Sequence, residues 1–212
     1  MKPWKTIATD GKWTLRQRDQ EFMVQVDGKI LMTSRRHGSE DELARIGCAR
    51  VNSASPHVLI GGLGFGFTLR AALDNLPDSA KVVVSELSKH VVEWNRSGGE
   101  LAKLHGDSLD DHRVSVEVGD VQKLLSKNRN AFDVVLLDID NGPFAVTVED
   151  NETMYSIGGL SSVRASLKKG GRLAVWSAGT HPGFNKRLRE VGFVASVEKT
   201  GDGQHLVFIG DL

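Results

Sequence analysis

Strand-like and helix-like segments alternate from residue 57 to the end of the chain. The predicted strands cover residues 58–61, 81–85, 114–118, 132–138 and 172–177, and the predicted helices cover residues 67–75, 89–97, 121–127, 153–168 and 183–191. Continuous apolar runs such as Val82-Val83-Val84 are typical of strands that are buried on both faces of a parallel sheet. The alternation therefore predicts an α/β fold with a doubly wound, mostly parallel sheet and right-handed crossovers.

Antiparallel strands are predicted near both ends of the chain. Near the start, Asp27-Gly28 separates two strand-like runs, residues 21–26 and 29–33, which is a strong hairpin signal. Near the end, residues 193–198 and 205–209 flank a glycine-bearing turn, so the sheet should finish with an antiparallel strand. We therefore predict an N-terminal β-hairpin extension, residues 1–38, and a Rossmann-like domain, residues 39–212. The first helix of this domain should begin with a capping box, in which Ser39 is the N-cap and Glu42 stands three residues on.

Charge and composition limit the partners that the chain can have. The 27 basic residues are balanced by 27 acidic residues, so no nucleic-acid partner is expected. No segment approaches the ~18 apolar residues of a membrane span, and the N-terminus lacks a signal-peptide pattern, so we expect a cytoplasmic protein that does not bind membranes. The single cysteine, Cys48, cannot form an internal disulfide and is predicted to lie in the core, and no metal site is expected.

A glycine cluster follows the first predicted strand of the large sheet. Gly61, Gly62, Gly64 and Gly66 stand between that strand and a predicted helix. Glycine permits a sharp turn and the close approach of a ligand, and the helix N-terminus adds free N–H groups. Ligands of open α/β sheets bind at this edge, so the cluster predicts a nucleoside site. A dinucleotide site would need a third glycine where Phe67 stands, which favours an adenosyl ligand over NAD.

Acidic residues follow three of the predicted strands at the same edge of the sheet. Glu86, after the second strand, can accept both hydroxyls of a ribose. Asp120, after the third strand, can accept the amine of an adenine, cap the next helix, or do both. Asp138 and Asp140, after the fourth strand, can orient a cationic donor or take a proton from an acceptor, although this segment also has ordinary turn composition. The predicted catalytic residues are Asp138 and Asp140, and the predicted cofactor-binding residues are Gly61, Gly62, Gly64, Gly66, Glu86, Asp120 and Asp138.

The same residues resemble the spermidine synthase family of the class I methyltransferase-like superfamily. The resemblance covers roughly residues 20–178, and the motifs that carry it are Asp27-Gly28, the acidic helix start at residues 39–42, Ile60-Gly61-Gly62, Thr68-Leu69-Arg70, Val84-Ser85-Glu86, Gly119-Asp120, residues 132–138 and Gly142-Pro143. Such proteins bind an adenosyl sulfonium nucleoside. The resemblance implies that Glu86 holds the ribose, that Asp120 holds the adenine, and that Asp138 lies at the reacting centre. It also suggests a homodimer.

The sequence departs from that family at the substrate site. Aminopropyltransferases carry an acid in the glycine loop that neutralises the ammonium of the donor, whereas residues 62–67 contain none. An ammonium that is buried without a partner is costly. In addition, Asp138 and Asp140 are closer together than the paired acids of the family, and His37 and Gly38 lie near the position of a polyamine-binding tyrosine.

These departures leave three functions open. The first is a transferase with an adenosyl sulfonium donor, in which methyl transfer from S-adenosylmethionine to an unidentified small molecule is favoured. The second is an aminopropyltransferase that uses decarboxylated S-adenosylmethionine. The third is a catalytically silent protein that binds a nucleoside such as 5′-methylthioadenosine. If Phe65 and Phe67 surround the tail of the donor, S-adenosylmethionine should bind at least as tightly as its decarboxylated form.

Overall fold

A seven-stranded sheet and a separate four-stranded sheet organise the computed structural model, which describes residues 2–139, 142–144 and 153–212. The strands are β1 (Lys5–Asp10), β2 (Trp13–Arg18), β3 (Glu21–Val26), β4 (Lys29–Thr33), β5 (His57–Gly61), β6 (Lys81–Glu86), β7 (Val114–Val118), β8 (Phe132–Leu137), β9 (Leu167–Ser177), β10 (Val194–Lys199) and β11 (Leu206–Asp211). The helices are α1 (Gly38–Cys48), α2 (Phe67–Asn75), α3 (Lys89–Asn95), α4 (Ala102–His105), α5 (Val121–Lys127), α6 (Ile157–Ser166) and α7 (Phe184–Glu190).

The large sheet has the predicted doubly wound arrangement. Its strand order is β10-β11-β9-β8-β5-β6-β7, and the pairs from β9 to β7 are all parallel. Strand β11 is antiparallel to both β9 and β10, which confirms the predicted antiparallel end. The winding reverses between β5 and β8. The glycine loop that leaves β5 therefore lies at the switch point, where open α/β sheets bind their ligands.

Helices cover both faces of the large sheet. Apolar side chains from α1, α2 and α3 pack on one face, and those from α5, α6 and α7 pack on the other. This double burial is the physical reason for the continuous apolar strands. In the described part of the chain, no helix has both the length and the apolar character needed to cross a bilayer.

The N-terminal unit is larger than the predicted hairpin. The β3–β4 hairpin is present, and Asp27 and Gly28 both have left-handed backbone angles, with φ of +50° and +75°. Strands β1 and β2 extend it to a four-stranded antiparallel sheet. Their alternation is weak in the sequence because most of their side chains are polar. The predicted division after residue 38 falls just inside α1, which begins at Gly38, and it stays a prediction.

The start of α1 differs from the predicted capping box. The helix begins at Gly38, and its N-cap position is occupied by His37, whose side chain makes no capping bond. Ser39 lies inside the first turn, and its hydroxyl donates to the Glu40 carboxylate at 2.5 Å. The predicted cap is therefore wrong. Cys48 ends the helix and is buried as predicted, and this burial raises the pKa of its thiol to about 12.

Candidate functional site

Two glycines of the loop between β5 and α2 are required by close packing. Gly62 and Gly66 have φ of +91° and +80°, in the left-handed region that favours glycine. A Cβ atom added to Gly62 would lie 2.1 Å from the backbone oxygen of Asp138, and one added to Gly66 would lie 2.5 Å from the ring of His105. The loop is therefore pressed against the segment after β8 on one side and against α4 on the other.

The third glycine of the loop is less closely packed. Gly64 has φ of +53°, and an added Cβ atom would meet the sulfur of Met32 at an ordinary distance of 3.7 Å. The fully buried side chain of Asn95 holds this part of the loop, because its Nδ2 donates to the Gly64 carbonyl at 2.9 Å. Asn95 was not predicted, since nothing in the sequence connects α3 to the loop. Gly64 is thus the least closely packed of the three.

The two phenylalanines of the glycine loop pack against the four-stranded sheet. Phe65 and Phe67 are buried in a cluster with Leu15 and Phe22 of the four-stranded sheet. Burial against this sheet removes their large apolar surface from water. This packing gives no support to the condition that these rings surround the tail of a donor, on which the expected preference for S-adenosylmethionine depends.

Glu86 connects the end of β6 to the glycine loop. Its Oε2 accepts the backbone N–H of Leu63 at 2.9 Å, and its Oε1 accepts that of Ser88 at 2.8 Å. Burial raises the pKa of this carboxyl group, and the backbone hydrogen bonds oppose that rise. The backbone N–H groups of Gly64 and Leu87 also lower this pKa, so four backbone donors surround the carboxylate. The contact with ribose itself remains a prediction.

Asp120 lies beside Glu86 at the next strand end. The backbone N–H of Gly119 donates to the Glu86 carbonyl at 2.9 Å, which brings the ends of β6 and β7 together. The Asp120 carboxylate accepts the N–H of Gln122 at 2.8 Å and caps α5, one of its two predicted roles. The other role, binding adenine, stays a prediction.

An exposed apolar surface at these strand ends was missed in the sequence. Leu87, which directly follows Glu86, is 68% exposed. Val118, which directly precedes Gly119, is 55% exposed. Large apolar side chains left open beside polar groups are typical of binding surfaces. The signal in the sequence was an apolar residue immediately after the acidic end of a strand.

Asp138 is fixed directly against the glycine loop. Its backbone N–H donates to the Gly61 carbonyl at 2.8 Å, and its Oδ2 accepts the hydroxyl of Thr68 at 2.6 Å. Burial, followed by the negative charge of Glu40 and to a lesser extent that of Glu86, raises the pKa of Asp138 to about 7, while the Thr68 bond opposes the rise. A carboxyl group with this pKa can exchange protons near neutral pH.

The site is acidic where it meets the end of β8. Among the described residues, the charged groups that raise the pKa of Asp138 are carboxylates, Glu40 in the first turn of α1 and Glu86 at the end of β6. Such a site favours cationic ligands and disfavours anionic ones. The second predicted catalytic residue, Asp140, lies outside the described residues.

A concavity of about 470 Å³ adjoins one corner of this edge. It lies between α5 and the β6–β7 end of the sheet, and its lining includes Ser85, Gly119 and Asp120. Neither the glycine loop nor Asp138 contributes to its lining. Of the predicted cofactor-binding residues, Asp120 alone lines this concavity.

Sequence comparison finds relatives that share part of this chain, and no protein-family model matches it. A polyamine aminopropyltransferase of Nitrosomonas europaea is 29% identical over 117 residues, which is 55% of this chain and 34% of that protein. A polyamine aminopropyltransferase of Korarchaeum cryptofilum is 30% identical over 124 residues, which is 58% of this chain and 36% of that protein. The matched part is thus about a third of the length of these relatives.

Structure comparison extends the similarity over nearly the whole chain. Spermidine synthase from Thermotoga maritima has a TM-score of 0.72 at 19% identity, and the match covers 94% of this chain and 68% of that one. A spermidine synthase in complex with the transition state analogue AdoDATO has a TM-score of 0.75 at 20% identity, covering 96% and 72%. Human methyltransferase-like protein 13 in complex with SAH has a TM-score of 0.62 at 17% identity, covering 82% and 79%. The chain is therefore spermidine synthase-like and has the class I methyltransferase-like fold, as its motifs predict.

Proposed function

We propose that this spermidine synthase-like chain transfers an aminopropyl group from decarboxylated S-adenosylmethionine to a small amine. The observation that carries the proposal is Asp138, a partly buried carboxyl group with a pKa of about 7 beside the glycine loop. The C–N bond forms as the C–S bond of the sulfonium breaks and 5′-methylthioadenosine leaves. An amine makes this attack only when it has lost a proton. Asp138 takes that proton, and the remaining contribution of the protein is to hold donor and acceptor in line.

The nucleoside part of the donor is assigned to the ends of β5, β6 and β7. Glu86 would accept the ribose hydroxyls, Asp120 would accept the adenine amine, and Leu87 would cover the adenine ring. The looser packing at Gly64 would leave room for the sulfonium centre. Support for this assignment comes from the common edge that these residues occupy and from the adenosyl ligands named with two of the similar structures.

Electrostatics favours the decarboxylated donor over S-adenosylmethionine. The negative charges of Glu40 and Glu86 both raise the pKa of Asp138, so the donor tail enters an acidic region. An ammonium is attracted to such a region, whereas the additional carboxylate of S-adenosylmethionine is repelled. The relatives named polyamine aminopropyltransferase support the same choice.

The donor preference is the direct test of the proposed function. Decarboxylated S-adenosylmethionine is expected to bind at least tenfold more tightly than S-adenosylmethionine, which corresponds to about 1.4 kcal/mol. Isothermal titration calorimetry with both donors measures the difference, and 5′-methylthioadenosine, which lacks the charged tail, serves as the control for the nucleoside pocket. Tighter binding of S-adenosylmethionine would reject aminopropyl transfer.

Methyl transfer is the second candidate, and the composition of the glycine loop favours it. No carboxylate is present in residues 62–67 to pair with the ammonium of an aminopropyl donor. Turnover with diamines, followed by the release of 5′-methylthioadenosine, separates aminopropyl transfer from methyl transfer, which releases S-adenosylhomocysteine. Nucleoside binding without release of either product would identify a silent binding protein.

The suggested homodimer stays a prediction, which sedimentation of the purified protein tests.

Replacement of Glu86 by alanine should weaken nucleoside binding. We expect a loss of about 1.5–3 kcal/mol, which is typical of a hydrogen bond that involves a charged group. The variant also loses the bond from the Leu63 N–H to Oε2, so the loop is less well held. Calorimetry with 5′-methylthioadenosine measures the change, and Glu190→Ala, an exposed acid at the end of α7, is the control. Wild-type affinity in a folded Glu86→Ala protein would remove Glu86 from the site.

A further inference from the structure

The hydroxyl of Thr68 holds the carboxylate that the proposed reaction uses. Thr68 is the second residue of α2, and it is only 2% exposed. Its Oγ1 donates to Oδ2 of Asp138 at 2.6 Å, and the Asp138 backbone is held separately by the bond to the Gly61 carbonyl. The carboxylate is thus connected by its side chain to α2 and by its backbone to β5.

We infer that Thr68 is a positioning residue, which fixes Oδ2 of Asp138 in its ionised form and leaves Oδ1 to take the proton of the acceptor amine. The inference rests on the proposed function, because it assigns Thr68 a role in the reaction of Asp138. Thr68 itself touches neither donor nor acceptor in this assignment. Its effect passes entirely through the carboxylate.

The surroundings of Asp138 explain why a donated hydroxyl is needed there. Two neighbouring carboxylates, Glu40 on α1 and Glu86 at the end of β6, disfavour its ionised form, and so does burial. The Thr68 hydroxyl stabilises the ionised form, since a hydrogen bond to a carboxylate lowers its pKa. Without this bond, a larger fraction of Asp138 carries a proton near neutral pH and cannot act as a base.

The first experiment measures the bond without relying on catalysis. An NMR titration of the aspartate carboxyl carbons gives the pH at which half of Asp138 is protonated, its titration midpoint. The Asp138 resonance is identified as the one that is lost in Asp138→Asn. Thr68→Val keeps the shape of the side chain and removes the hydroxyl, so the midpoint should rise by about one pH unit. Thr68→Ser should keep the wild-type midpoint. An unchanged midpoint in Thr68→Val would overturn the inference.

A matched control exists at the turn between β10 and β11. There Thr200 is also buried, and its Oγ1 donates to Oδ1 of Asp202 at 2.6 Å. Thr200→Val removes a similar bond between threonine and aspartate, and it should leave the Asp138 midpoint unchanged. If Thr68→Val does not fold, as judged by circular dichroism, Thr68→Ala is titrated in its place, and the same outcomes apply.

The second experiment measures the consequence for turnover. Thr68→Val should lower kcat near neutral pH by about tenfold and move the acidic limb of the pH–rate profile upwards, while donor affinity stays at the wild-type value. Thr68→Ser should recover most of the rate. A midpoint that rises with no change in kcat or in the profile would overturn the positioning role. If the wild-type protein turns over no acceptor, the proposed function fails, and the titration alone then supports or overturns the bond between Thr68 and Asp138.

Discussion

Asp138→Asn is expected to lower kcat by about 100-fold to 10,000-fold, the usual contribution of a general acid or base. Asparagine preserves the size of the side chain and can still accept the Thr68 hydroxyl, but it cannot take a proton from an amine. Nucleoside affinity should change little, because the backbone contacts of this segment are retained. Steady-state release of 5′-methylthioadenosine, together with calorimetry, separates the loss of kcat from a loss of binding.

The stability of this variant gives an independent check on the protonation of Asp138. The folded-state pKa is raised from 3.8 to about 7, so the folded protein binds a proton more strongly than the unfolded chain does. The carboxyl group therefore destabilises the fold progressively as pH rises from about 4 to about 7. Thermal unfolding should show that Asp138→Asn gains stability relative to wild type over this range and keeps the gain above it.

A matched variant on α2 controls for a general effect of removing an acid. Asp74 is exposed and pairs with Arg70. Asp74→Asn should leave both kcat and the pH dependence of the melting temperature close to wild type. If Asp138→Asn retained a kcat similar to that of Asp74→Asn, the role of Asp138 as the base would be rejected.

Gly62→Ala is expected to abolish nucleoside binding and to destabilise the fold by about 2–5 kcal/mol, the sum of a left-handed alanine and a forced overlap. The new methyl group would lie 2.1 Å from the backbone oxygen of Asp138 and 3.2 Å from Cγ2 of Ile139. A backbone atom cannot rotate away as a side chain can. The glycine loop and the segment after β8 must therefore separate, which moves Asp138, the predicted base, away from the glycine loop.

The turn between β3 and β4 supplies the control for the backbone effect alone. Gly28 has φ of +75°, close to the +91° of Gly62, but an added Cβ atom there meets nothing within 4 Å. Gly28→Ala should thus show only the penalty for a left-handed alanine, about 1–2 kcal/mol. Urea unfolding measures both variants, and a ligand-induced melting shift reports binding. Equal losses for the two variants would contradict the predicted overlap at Gly62.

Local patterns in the sequence were sufficient for the large sheet and for the ligand-binding edge. Apolar runs such as residues 82–84 report burial on both faces directly, and positive φ at Asp27-Gly28 is a preference of those residues themselves. Because the carboxyl ends of parallel strands share one edge, Glu86, Asp120 and Asp138 could be placed together once the strands were recognised. The predicted N-cap of α1, Ser39, was wrong, because spacing in the sequence does not distinguish it from the true N-cap, His37.

Contacts between distant segments decided the rest, because no local pattern encodes them. Thr68 and Asp138 are 70 residues apart, yet their bond sets the state of the predicted base. The apolar loop residues Phe65 and Phe67 could face a ligand or a core, and only the position of the four-stranded sheet shows that they are core. Tertiary packing also brings Glu40 close enough to act on Asp138. The sequence therefore determines which strand ends form the candidate site, whereas the charge and protonation of that site depend on what the fold brings against it.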